Sequence, residues 1–156
     1  HTRIRAYEPL LYITHKTIYI METRKQTRGE RNCNPLNIKK TSIKWHGKIE
    51  GKDNIFESFK DNYSGYRAAL ICLYKHYRTG SNSVNLLINK WAPSSENRTM
   101  NYVDYVSSLS SLGPNQVFTW SYTNVYLIMY HMCVFENGKI IDREALIKVV
   151  HEFFTK

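Results

Sequence analysis

The residues of this sequence that could do chemistry crowd into one stretch, RGERNCNPLNIKKTSIKW, residues 28–45. A single carboxylate, Glu30, stands there between Arg28 and Arg31, with amides close behind it at Asn32, Asn34 and Asn37. A glutamate that protonates a glycosidic oxygen must keep its proton near neutral pH, which takes burial or a neighbouring negative charge. Arg28 and Arg31 work against that if they point at it, and Glu30 is then a salt-bridged structural residue. Glu50 and Asp53 lie downstream. They offer the second carboxylate that many glycosidases place across the scissile bond. Beside Gly51 and Asn54 the same two residues also read as turn chemistry. The candidate catalytic residues are therefore Glu30, Glu50 and Asp53, with both readings open for each.

Around them stand groups suited to holding a substrate. Amide side chains give and accept hydrogen bonds without charge, which fits the hydroxyl and N-acetyl groups of sugars. Beside Pro35, Asn34 reads as the more structural of the amides and Asn37 as the one facing a cleft. A second focus is KWAPSSENRTMNYVDYV, residues 90–106. Here Trp91 offers an aromatic platform at a helix end, followed by Pro93 and a polar loop with Glu96 and Asn97. Core packing for Trp91 and a surface position for Glu96 are the alternatives, and Thr99 reads as a helix cap. The candidate substrate-binding residues are Asn34, Asn37, Trp45, Tyr66, Trp91, Glu96, Asn97 and Tyr102. The histidines have no ligand spacing and no nucleophile partner. Cys33, Cys72 and Cys133 form no CxxC pair. No P-loop or dinucleotide fingerprint occurs. No metal and no cofactor are expected.

Those side chains need elements to position them. Residues 4–22 are apolar and β-branched with ambiguous period. Pro35 fixes its own φ and biases Asn34 to extended backbone, so 34–40 reads as a turn entering a short strand. Alternating apolar positions with two glycines predict a β-hairpin from about 43 to 59. Helical spacing follows over 62–78, through Tyr66, Ala69, Leu70, Leu73 and Tyr77 and ended by Gly80. A second helix over 83–92 has Ser83 as its N-cap and Pro93 as its stop. A third over 100–113 closes at Gly113-Pro114. Residues 123–138 are strongly apolar and suit a buried central helix. An amphipathic helix capped by Asp142 completes the chain. The predicted fold class is α+β, mostly helical, with one small early β-hairpin. Residues 1–25 read as an N-terminal extension, with the status of the part before Met21 left open. Residues 26–156 are long enough for one domain with its own core.

The formal net charge of +9, from 22 Lys and Arg against 13 Asp and Glu, implies attraction to polyanions. Nucleic acid, an anionic membrane surface and an acidic cell wall all qualify. The 12 tyrosines and 3 tryptophans suit flat-faced ligands such as sugars and bases, or else fill a core poor in phenylalanine. No apolar run approaches the length of a membrane span, and no signal-peptide pattern is present. Membrane insertion is not expected.

Taken in order, RGERNCNPLNIKK, KWHGK, IFESFKDNYSGYRAALICLYKHY and INKWAPSSENRTMNYVDYV resemble a family of phage and Bacteroidetes mobile-element proteins. Its members are labelled virion structural proteins and are related to lysozyme-like muralytic domains. The family pattern runs RGxRNNNPxNI, W-x-G, F-x-x-F, G-x-R-A, W-A-P-x-x-E-N-x-T and a following tyrosine, and it is carried here from Arg28 to Tyr102. Cys33 stands where the family has its middle asparagine, and Ser94–Ser95 vary the loop. The resemblance implies a lysozyme-like fold and cleavage of the β-1,4 bond between N-acetylmuramic acid and N-acetylglucosamine. By position Glu30 matches the essential acid, with Glu96 and Glu50 as the fallbacks. If no second carboxylate takes part, the implied mechanism is that of a lytic transglycosylase: one glutamate protonates the leaving oxygen, then draws the C6 hydroxyl onto the anomeric carbon. The implied partners are the glycan strands of peptidoglycan. A phage particle or a secretion system would carry the protein from the cytoplasm to the periplasm or wall. Two alternatives stay open: a non-catalytic, glycan-binding virion or mobile-element component, and a nucleic-acid-binding module using the basic segment 24–48.

Overall fold

A capping box makes the first element of the computed structural model, which describes residues 24–93 and 95–156, the side chains of Glu96 and Asn97 excepted. The reading of 1–25 as an extension therefore lies, but for residues 24 and 25, outside the described residues. Helix α1 (Arg28–Arg31) is four residues long, too short to persist without help. Thr27 Oγ1 accepts from the Glu30 N–H, while the Glu30 carboxylate accepts from the Thr27 N–H at 2.7 Å. That pair satisfies two end donors at once.

Behind α1 the chain turns sharply. Cys33 and Asn37 both take the left-handed conformation, at φ 46° and 54°. Asn34 organises this turn from inside. Its amide donates to the carbonyls of Ile38 and Glu57 and accepts from the Ile38 N–H, at 2.9, 3.0 and 2.9 Å. The side chain is wholly buried, so Asn34 pins the turn to the hairpin and the expectation that it touches a substrate is corrected.

The hairpin itself is small. Strands β1 (Lys48–Ile49) and β2 (Ser58–Phe59) run antiparallel, with Lys48 opposite Phe59 and Ile49 opposite Ser58, and Lys39 bridges to Phe56. Only these residues of the expected span 43–59 pair as strands. Its tip follows Asp53 instead, whose Oδ1 accepts from the Ile55 and Phe56 N–H groups.

The helices follow local chemistry more closely. Helix α2 (Asn62–Arg78) is capped by Asp61 and α3 (Val84–Trp91) by Ser83. Helix α5 (Tyr122–Asn137) is capped by Ser121 and closed by Gly138 at φ 73°, and α6 (Arg143–Thr155) is capped by Asp142. Helix α4 (Glu96–Leu109) departs from expectation at both ends. It starts earlier, so Thr99 is interior. The Thr99 hydroxyl bonds the Ala92 and Ser95 carbonyls at 3.0 Å each, tying α4 to the end of α3. It also stops earlier. Ser111, not Gly113, takes the left-handed position at φ 54°, and the Leu112 N–H returns to the Ser107 carbonyl.

Helix α5 packs against α4 and α6, α2 against α6, and α3 against α4. The core between them includes Leu36, Leu70, Leu73, Leu87, Ile88, Met129, Met132, Leu146 and Val150. Each such side chain stabilises the fold by about 1.5–3 kcal/mol of transfer free energy. The architecture is α+β and mostly helical, with the small two-stranded sheet early in the chain. Tyr66 and Tyr102, expected at a substrate, are both 0% exposed. The Tyr66 hydroxyl bonds the Ile141 carbonyl. Tyr102 stacks on Phe135 with centroids 4.1 Å apart. They are core residues, because helical spacing puts their rings under α5.

Candidate functional site

Glu30 does not meet its arginines. Arg28 turns away to Asp53 at 3.0 Å and lies over the Phe56 ring, 4.8 Å from its centroid. Arg31 donates to the Gln26 carbonyl. The cation paired with Glu30 is Lys139, just past α5, and the neighbouring Thr27 hydroxyl bonds Asn137 at 2.9 Å. Burial alone would raise the Glu30 carboxyl. Hydrogen bonds from Lys139 and Thr27, with the charge of Lys139, outweigh burial and hold it below its ordinary value. As it stands, Glu30 is an anion clamped to the end of α5.

Asp53 is fixed more firmly still. Its Oδ1 takes the two backbone N–H groups of the turn, and its Oδ2 takes Asn32 Nδ2 and Arg28 Nε, each at 3.0 Å. The backbone bonds from Ile55 and Phe56 lead in lowering its pKa, burial opposes them, Asn32 and Arg28 add to the lowering, and the value falls to about 2. A carboxylate so placed exchanges no proton at neutral pH. Because the folded value lies below the ordinary 3.8, the stability this interaction contributes is complete above pH 3.8 and is lost as pH falls toward 2. Asp53→Asn should therefore flatten the fall in unfolding free energy between about pH 4 and 2, as read by urea melts at each pH.

Two hollows flank this loop. One, about 560 Å³, is walled by Arg28, Arg31, Asn32, Lys52, Asp53 and the half-exposed Ile49 and Ile55. The other, about 360 Å³, holds the exposed Glu50 with Lys40, Lys48 and Glu57. Trp45 packs against the core, its buried indole N–H without a partner.

A third hollow gathers groups from distant parts of the chain. Asn37, Phe56, Trp91, Pro93, Arg98 and Glu136 line a space of about 200 Å³. Asn37 comes from the strained turn, and Trp91 from the end of α3, where its indole N–H donates to the Leu36 carbonyl at 3.1 Å. Glu136 stands in the last turn of α5 with its side chain 9% exposed. It accepts from Asn37 Nδ2 at 3.1 Å and pairs with Arg98 at 3.4 Å. Burial, with the nearby Glu136 charge, pushes the Tyr102 phenol up.

Two of the expected substrate residues, Asn37 and Trp91, thus share one pocket. Glu96 and Asn97 open helix α4 directly after its Pro93 wall, and their side chains lie outside the described residues. Glu30, Glu50 and Asp53 stand in three other surroundings. Glu136 is the functional candidate that sequence reading missed. No local signal marks it, since it reaches Asn37 only through the fold. The Thr27–Glu30 capping box was the readable signal for α1. Among the described residues no group of His, Cys, Asp and Glu could hold a metal ion, and no helix is long and apolar enough to cross a membrane.

Apart from Glu136, the pocket residues and the turn lie within Arg28–Tyr102, the part of the chain that carries the sequence pattern. No family model matches the chain. It is similar to protein P5 of Pseudoalteromonas phage PM2, at 39% identity over 94 residues, 57% of this chain and 59% of the phage protein. It is thus related in sequence to a phage protein. It spans less than two thirds of the length of that relative.

Proposed function

We propose that the protein binds peptidoglycan glycan strands and cleaves their β-1,4 bond between N-acetylmuramic acid and N-acetylglucosamine, on a lysozyme-like scaffold. The observation that carries this reading is the meeting of Asn37, Trp91 and Glu136 in one pocket. An uncharged amide, an aromatic face and a nearly buried carboxylate are the set a pyranose with an N-acetyl arm calls for. Net charge of +9 supports attraction to an anionic wall. Similarity to a phage protein accords with a target in the bacterial wall, and delivery there by a virion is part of the proposal.

Two carboxylates compete for the acid/base role. Glu30 holds the position that the resemblance assigns. A strand that displaces Lys139 would remove its hydrogen bond and charge and move the carboxyl upward, with the Thr27 hydrogen bonds left to oppose burial. Glu136 lies in the pocket itself. Incubation of purified protein with bacterial sacculi should release soluble muropeptides, and Trp91→Ala should cut that release by at least about tenfold through loss of the stacking face. Glu30→Gln and Glu136→Gln, each checked for folding, identify the acid as the variant that abolishes release.

A second reading has its own support. Glu30, Asp53, Asp61 and Glu152 are all shifted downward, so none of these four is poised to donate a proton at neutral pH. That favours a glycan-binding virion component without cleavage, seen as retention on sacculi with no product.

A further inference from the structure

We infer that the Asn37–Trp91–Glu136 pocket is a subsite for a secondary amide, the acetamido group at C2 of an N-acetylhexosamine; this rests on the glycan reading above. The argument begins with Glu136. A carboxylate only accepts, so the Asn37 group facing it at 3.1 Å must be the NH₂. Chemistry fixes which way this amide points. Its Oδ1 is then left as the free end, and that oxygen is buried with no hydrogen-bond partner. Buried acceptors are ordinarily satisfied, and an orphan calls for an explanation. The backbone adds to the point: Asn37 is held at φ 54°, a left-handed conformation that asparagine tolerates and that tends to mark functional positions.

A secondary amide completes this geometry. Its N–H donates to Asn37 Oδ1, and its carbonyl accepts from Arg98, whose guanidinium lies over the Phe135 ring at 5.6 Å. Its methyl meets the apolar wall of Phe56 and Trp91. The volume of about 200 Å³ suits one substituent or one ring. Glu136 acts here through Asn37 and is a positioning residue for the amide, whatever its part in cleavage.

The test compares two β-1,4 tetrasaccharides by calorimetric titration, one of N-acetylglucosamine and one of glucose, which carries a hydroxyl where the first has its acetamido arm. The native protein should bind the acetylated one at least about tenfold more tightly, since a site built around a hydrogen bond discriminates against its loss. Glu136→Gln lets the new amide donate to Asn37 Oδ1 and frees Asn37 to flip. The preference should fall toward unity. Asn37→Gly is the second variant. Glycine accepts positive φ, so the turn is kept, the acceptor is deleted and the preference should vanish. A preference that survives in either folded variant overturns the inference. So does equal binding of both oligomers by a protein that releases muropeptides, and the function proposal then stands. Failure to bind either oligomer, to adhere to sacculi or to release product overturns both.

Discussion

Gly65→Ala should lower the thermal midpoint of unfolding by on the order of 10 °C. In an isolated helix the change would help, by about 1 kcal/mol of intrinsic propensity. Here the new Cβ would lie 2.2 Å from the Cys33 carbonyl oxygen and 3.0 Å from Pro35 Cδ. The obstacle is backbone and cannot swing aside. Cys33 is already left-handed, and the turn is held by the Asn34 N–H on the Gly29 carbonyl at 2.9 Å. Relief comes only by pushing α2 off the turn, which strains the bond from the Phe59 N–H to the Asn32 carbonyl. Overpacking of this kind costs about 3 kcal/mol, and about 3 °C per kcal/mol applies to a chain of this size. Gly113→Ala is the control. Its Cβ would meet Gln116 Cβ at an ordinary 3.4 Å, and calorimetry should place its midpoint within about 2 °C of the native protein. Equal behaviour of the two variants would mean that α2 does not dock on the turn.

Lys48→Met should cost about 3 kcal/mol, because it strands a buried anion. Glu57 is 1% exposed, and Lys48 Nζ lies 2.8 Å from its carboxylate. The same ammonium also donates to the carbonyls of Thr41 and Ile43, at 2.8 and 3.2 Å. One side chain thus neutralises Glu57 and closes the loop before β1. Lys48→Met combined with Glu57→Leu removes both charges and should recover most of the loss, since apolar replacement of a buried pair is often neutral. Urea midpoints read both effects. A cost below about 1 kcal/mol for the single change would make the pair equivalent to a surface ion pair.

These features differ in how far the sequence foretells them. Helices α2, α3, α5 and α6 are legible because local chemistry ends them: Ser83 and Asp142 cap, Gly138 closes, and apolar spacing marks the inner face. Helix α4 shifts because Thr99 serves the α3–α4 junction, a contact that spacing does not encode. The hairpin shrinks because Asp53 ties up the backbone of its own tip. Tyr66 and Tyr102 mislead for a related reason. An aromatic at helical spacing beside polar motifs reads equally as platform or core, and burial decides.

The candidate pocket was half legible. Asn37 and Trp91 are marked by turn and helix-end chemistry and do come together. Glu136 sits in an apolar helix with no neighbouring signal, and its hydrogen bond to Asn37 spans 99 positions. Glu30 illustrates the opposite error. The adjacent arginines suggest a salt bridge, yet Lys139 supplies it, because the capping box turns the carboxylate toward the end of α5.

Mass analysis of what the protein releases from sacculi tests the central claim most directly. Cleavage between N-acetylmuramic acid and N-acetylglucosamine predicts soluble disaccharide-peptides. Their muramic ends are 1,6-anhydro, lighter by one water, if a single glutamate transfers the C6 hydroxyl, and reducing if water attacks. Sacculi that yield no soluble muropeptides to a folded protein would contradict it.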